Sequence, residues 1–139
     1  MEIIDAQIHM WEAVPSEPWS DPPVMFDLKL PFTIEAATAA MDAVGIHAAV
    51  ISPPPAYHVT TQEGFHRYSS AYAQETVRRY PHRFAYVSHY DHRDPDISNL
   101  VAGTRARPNS LGLRVVVRSP EEWQDFHAGR FEALFAAAE

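Results

Sequence analysis

Asp5, Gln7 and His9 fall at every second position of the first apolar run, Ile3 to Trp11. Side chains alternate faces along a strand, so these three are expected on one face and Ile4, Ala6 and Ile8 on the other. The apolar set would pack on helices. The polar set would point into a barrel or crevice, with His9 nearest the carboxyl end. An imidazole there can ligate a metal or exchange a proton near neutral pH. From spacing alone, a histidine bonded to backbone is the commoner outcome. Gln7 reads equally as a ligand-shell group or as strand filler. Asp5 is better placed to orient neighbours or cap backbone amides than to do chemistry.

Arg114 is the second candidate. It sits in the apolar run Leu111 to Val117, and an inward arginine needs a partner because an unpaired buried charge is costly. It could grip a substrate carboxylate in bidentate fashion or pair with an acid of another strand. Arg118, at the end of that run, is a weaker version. His89 and His92 lie at and just past the run Phe84 to Tyr90. The His-x-x-His spacing has no fixed geometry on a strand-to-turn segment. Both therefore read as exposed loop histidines, His89 with a possible substrate contact. Ser52 lacks the Gly-x-Ser-x-Gly setting of a nucleophile elbow and reads as a hydrogen-bond donor. Trp11, Trp19 and Tyr57 could line a pocket or pin proline-rich loops. His58 faces the same region, whereas His47 and His82 belong to the opposite end.

The elements that must position these residues alternate in type. Ile3–Trp11, Ala48–Ile51, Phe84–Tyr90 and Leu111–Val117 read as strands. Thr33 is a plausible N-cap for a helix whose face is Ile34, Ala37, Met41 and Val44, with Gly45 as its stop. Phe65, Tyr68, Tyr72, Thr76 and Tyr80 mark a second helix, ended by Pro81. Asp96 to Arg105 is a third, with Pro95 expected at its first position. Phe131, Leu134, Phe135 and Ala138 mark the last, which reaches Glu139 without a stop signal. Five prolines between residues 12 and 32 forbid a regular helix there. Strands alternating with helices imply a parallel sheet covered by helices. The connections after strands are long and the first two after helices are short. In such folds the working face lies at the carboxyl ends of the strands. The candidate site therefore falls among 11–19, 52–61 and 89–93.

Composition narrows the function classes. The chain has 139 residues, 46% hydrophobic and 21% charged, with a formal net charge of −7. That supports one packed domain over residues 1–139. An acidic chain with 11 basic residues lacks the basic face of a nucleic-acid binder. The absence of cysteine excludes a disulfide scaffold and Cys-ligated zinc. No apolar run approaches the roughly 18–20 residues that span a bilayer, and the acidic N-terminus does not read as a signal peptide. A cytoplasmic protein with a small-molecule substrate, and no nucleic acid or membrane partner, is expected. Dinucleotide, P-loop and zinc-protease motifs are absent.

Ile4-Asp5-Ala6-Gln7-Ile8-His9-Met10-Trp11 resembles the opening of the amidohydrolase-related family, a branch of the metal-dependent amidohydrolase superfamily. That opening is usually an Asp, a small residue, then His-x-His. Tyr80-Pro81-His82-Arg83-Phe84 is similar to the family's Tyr-Pro-x-Arg-Phe. Asp91 to Asp96 resembles its aspartate- and proline-rich turn, and Leu111-Gly112-Leu113-Arg114 its Gly-x-Arg strand. Each motif is weak alone; their order along the whole chain is what gives them weight.

The resemblance implies the N-terminal (β/α)4 half of a TIM-type (β/α)8 barrel. It implies a lactone or ring hydrolase, with an aminocarboxymuconate-semialdehyde-type decarboxylase as the alternative. It also implies a divalent metal, zinc, at His9 and Gln7, and a general base beyond residue 139. It favours a functional His9. Gln7, Trp11, Ser52, Tyr57, His89 and Arg114 become the candidate substrate-binding residues. Gln7 departs from the pattern, standing where the first metal-ligating histidine is usual; an amide is a poorer zinc ligand than imidazole. Four strand-helix units are half of the family's eight. A truncated barrel is the expectation, with a homo-oligomer of half-barrels as the non-catalytic alternative.

Overall fold

The computed structural model describes residues 2–10, 32–53, 70–117 and 119–139. Trp11, Trp19, Tyr57, His58 and Arg118 lie outside them. Among the described residues, four strands run in chain order: β1 Ile4–Ile8, β2 Ala48–Ile51, β3 Phe84–Ser88 and β4 Ser110–Leu113. Five helices accompany them: α1 Ile34–Val44, α2 Ser70–Arg79, α3 Ile97–Arg105, α4 Pro120–His127 and α5 Glu132–Ala138. The sheet order is β1-β2-β3-β4, and all three pairings are parallel. That is the expected α/β half-barrel, with β1 and β4 as its edges.

The helix ends follow local chemistry. The Thr33 side chain accepts the Ala36 amide and starts α1. Gly45 ends it at φ +74°, a left-handed turn that glycine adopts without a Cβ penalty. Ile34, Ala37 and Met41 are buried, but Val44 faces solvent; the apolar face is narrower than its spacing suggests. Helix α3 begins at Ile97 with Asp96 as N-cap, so Pro95 precedes the cap rather than opening the helix. Helix α4 is absent from the alternation expected above. Its start is a complete capping box: Ser119 accepts the Glu122 amide, and Glu122 accepts the Ser119 amide.

Two cores form on the helix side of the sheet. Ala49, Ile51, Phe84 and Tyr86 pack against Ile34, Ala37 and Met41 of α1 and Ala73 and Val77 of α2. Ile97 and Val101 of α3 pack with Phe131 and Leu134, and Leu113 and Val117 lean on them. At the amino end, Arg83 ties the layers together. It donates to the Ile46 and His47 carbonyls and to Asp42 Oδ1. The Tyr-Pro-x-Arg-Phe segment is thus a structural clamp. His47 is structural too, accepting the Ile3 amide at Nδ1.

The edge strands both break register. Asp5 pairs with Ala49, yet Ile8 pairs with Ile51, so β1 holds one extra residue between them. Asp5 Oδ1 accepts the Gln7 amide at 3.0 Å, giving that donor a partner outside the ladder. This corrects the simple alternation. Ile8 lies beside Ile51 on the helix side, so Gln7 and His9 take the inner face and Asp5 does not share it. On the other edge, Tyr86 pairs with Ser110 and Val87 with Gly112, which makes Leu111 the extra residue. Gly112 sits at φ +149°, where side-chain-bearing residues rarely go. The Gly-x-Arg pattern thus has a backbone reason.

Candidate functional site at the strand exits

The four strands deliver their exit residues to one end of the sheet. At β1–β2, the Ser52 amide donates to the Ile8 carbonyl at 2.9 Å. The next residue, His9, returns a bond from Nδ1 to the Ser52 carbonyl at 2.6 Å. At β3–β4 the same pair of bonds recurs. The Arg114 amide donates to the Ser88 carbonyl at 2.8 Å. His89 Nδ1 returns a bond to the Arg114 carbonyl at 2.9 Å. A carbonyl can only accept, so both imidazoles carry a proton on Nδ1. That assigns Nε2 as the acceptor nitrogen of each neutral ring. At His9 the Gln7 amide nitrogen lies 3.4 Å from Nε2, in keeping with that assignment.

The two exits are joined across the inner face. Arg114 Nη1 donates to Ser52 Oγ at 2.5 Å. The structure therefore brings together Gln7, His9, Ser52, His89 and Arg114, five of the seven residues singled out by sequence. Trp11 and Tyr57 are the other two. Ser52 is buried and carries two roles, its carbonyl holding His9 and its hydroxyl holding Arg114. Beside His89, a small cleft of about 100 Å³ opens between the β3–α3 loop and α4, bounded by Asp91, Arg93, Glu122 and Phe131.

His92 departs from its expected place. It is buried rather than exposed. Its ring stacks on Phe131 at 3.7 Å, and its Nε2 lies 3.0 Å from Asp125 Oδ2. Asp125 is 2% exposed and also accepts from Arg93 Nε and Nη2 and from Arg130 Nη1. The His92 hydrogen bond, then those from Arg93, hold the Asp125 carboxyl down at about 2. Sequence reasoning missed Asp125, Arg93 and Arg130. The Ser119-Pro120-x-Glu122 cap was the available signal, since it announces the helix that carries Asp125. The Asp91–Asp96 turn is held by its own side chains: Asp91 Oδ1 accepts the Arg93 amide and Asp94 Oδ1 the Asp96 amide.

The two residues expected to hold a metal, His9 and Gln7, lie side by side on the inner face. His9 Nε2 and the Gln7 side chain offer at most two donors here. Among the described residues there is no group of three or more His, Cys, Asp or Glu side chains able to hold an ion. A tetrahedral site needs more than this pair supplies.

Comparison with solved structures gives this arrangement a frame. An amidohydrolase from Burkholderia multivorans, with bound HEPES, matches 98% of this chain at a TM-score of 0.67 and 19% identity. The fold is half of a TIM-type (β/α)8 barrel. A 5-carboxyvanillate decarboxylase from Novosphingobium aromaticivorans, complexed with manganese and 4-hydroxy-3-methoxy-5-nitrobenzoic acid, matches 98% at 0.63 and 15%. A probable 2-pyrone-4,6-dicarboxylic acid hydrolase from Acinetobacter baumannii, with citric acid bound, matches 96% at 0.55 and 15%. This chain spans about half of each, between 44% and 47% of their lengths. No family model and no curated protein matches the sequence. Among the described residues, no helix is long and apolar enough to cross a membrane.

Proposed function

We propose that this chain is one half of the barrel of a cytoplasmic hydrolase acting on a small, carboxylate-bearing lactone or related acyl compound. One observation carries the reading: Arg114, Ser52 and His9 are wired to one another on the inner face at the strand exits. A guanidinium presents a planar fork of donors suited to a carboxylate, and Ser52 Oγ sets its direction. His9 Nε2 is oriented to accept a hydrogen bond from a water or a substrate hydroxyl, with Gln7 beside it. His89 supplies a second oriented ring. In this reading Arg114 and Ser52 bind the substrate's acid group, and His9 and Gln7 hold the reacting end. The general base that activates water comes from the other half of the barrel.

The solved neighbours support the substrate class. One is named for a pyrone dicarboxylate and holds citrate; another is named for a carboxylated aromatic acid and holds a nitrobenzoate. A divalent ion such as the manganese of that decarboxylase would need donors besides His9 and Gln7. The direct test is turnover of 2-pyrone-4,6-dicarboxylate by the full-length protein, followed as loss of the pyrone absorbance. Ring opening by the wild type and its loss in Arg114→Ala are the expected results. Release of carbon dioxide without ring opening would make it a carboxy-lyase. No turnover, with citrate binding equal in wild type and Arg114→Ala, would sink the reading.

A further inference from the structure

The β3–α3 loop starts at His89 and is anchored three residues later. His92 and Arg93 both bond to Asp125, which lies 33 and 32 residues further along the chain on α4. Arg130 bonds the other carboxylate oxygen at 2.7 Å. One buried carboxylate thus collects an imidazole and two guanidinium groups. Removing it would leave the buried His92 donor without its acceptor, a costly state that the loop can relieve by moving, and would free the exposed Arg93 from the loop's anchor. The loop is short and braced internally by the Asp91 and Asp94 side chains. Two residues, Tyr90 and Asp91, separate His89 from the anchored His92. A second anchor, Tyr90 hydroxyl to Thr104 Oγ1, ties the same stretch to α3.

We propose that Asp125 is a positioning residue: through His92 and Arg93 it holds the β3–α3 loop where His89 Nδ1 reaches the Arg114 carbonyl, fixing the tautomer and aim of His89. The use made of that aim rests on the strand-exit reading above. The tautomer itself does not. His9 makes the same kind of bond at the β1–β2 exit, remote from Asp125 in the sheet order, and so serves as an internal reference.

Long-range proton–nitrogen NMR of the histidine rings in the full-length protein tests this. In the wild type, His9 and His89 should each show a single Nδ1-protonated neutral tautomer. In Asp125→Asn, the His89 pattern should move toward averaged tautomers while His9 stays as it was. An unchanged His89 in a folded Asp125→Asn protein would overturn the proposal. So would equal changes at His9 and His89, which would mark Asp125 as a general stabiliser. Arg93→Gln is the second variant, in case Asp125→Asn does not fold. It removes two of the four bonds to the carboxylate and should move His89 in the same direction by less; no movement of His89 there would also overturn the proposal. If citrate binding proves indifferent to Arg114→Ala, the substrate reading fails and the His89 result still stands.

Discussion

At the β1–β2 exit, Ser52 takes the Ile8 carbonyl and His9 takes the Ser52 carbonyl; at the β3–β4 exit, Arg114 takes the Ser88 carbonyl and His89 takes the Arg114 carbonyl. Each exit also has a bulge on its edge strand. The bulge in β1 is made by a side chain, Asp5 accepting the Gln7 amide. The bulge in β4 is made by backbone, Gly112 at φ +149°. Behind them the supports differ again. The second exit is backed by the Asp125 cluster, whereas Gln7 and Asp5 stand at the first. One hydrogen-bonding plan is thus realised by two chemistries. The plan is shared, and the means are local.

The strongest way to break the equivalence is through the cores. Phe131→Ala should cost about 3–5 kcal/mol and also remove the ring beneath His92, so His89 should shift while His9 holds. Ile34→Ala should cost about 2–5 kcal/mol at the other core, without that effect on His89. Denaturant melts combined with the histidine spectra would check both. His89 shifting equally in the two variants would refute the division.

Acid should act on one exit first. The Asp125 carboxyl is near 2 when folded and near 3.8 as an ordinary aspartate. The unfolded chain therefore binds this proton first on acidification. The contribution is full above about pH 4 and fades as pH falls toward and through about 2. Asp125→Asn should flatten the acid limb of a stability–pH curve and lower the plateau. An unchanged limb would count against a tightly held carboxylate.

The two bulges give smaller effects. Gly112→Ala should cost about 1–3 kcal/mol, because a Cβ is strained at that φ. Asp5→Ala should cost about 0.5–1.5 kcal/mol, the usual net worth of a hydrogen bond. Chemical denaturation of both variants would rank them; a reversed order would mean that Asp5 does more than hold the bulge. The smallest change expected is at Ser88. Its buried hydroxyl has no hydrogen-bond partner among the described residues, so Ser88→Ala should be neutral or stabilising by up to about 1 kcal/mol.

Much of this was legible in the residues. Apolar runs located all four strands to within a few positions, and Thr33 and Gly45 gave the limits of α1. Arg114 stood out because a charge in apolar surroundings needs a partner; His9 stood out through the family resemblance of its segment, and Ser52 as a hydrogen-bond donor at a strand end. What stayed hidden depends on register and tertiary contact. The extra residue in β1 is invisible in a period-two pattern, so Asp5 was assigned to the wrong face. His92 looked like a loop histidine because its burial depends on Phe131, about 40 positions further on. Asp125 had no role in the sequence reading, because its helix was not expected and its three partners meet it only when α4 lies against the loop.

The Arg83 clamp bears on how the chain folds. Its bonds reach back 36, 37 and 41 residues, to the turn before β2 and the last turn of α1. The first strand–helix–strand unit therefore lacks its brace until β3 arrives. Closing a segment of that length carries an entropy cost that local helix contacts do not repay. The sheet should thus mature from its middle, β2 with β3, and the edge strands should dock afterwards. Slow refolding of Arg83→Ala, with unfolding little changed, would be the kinetic mark of that order.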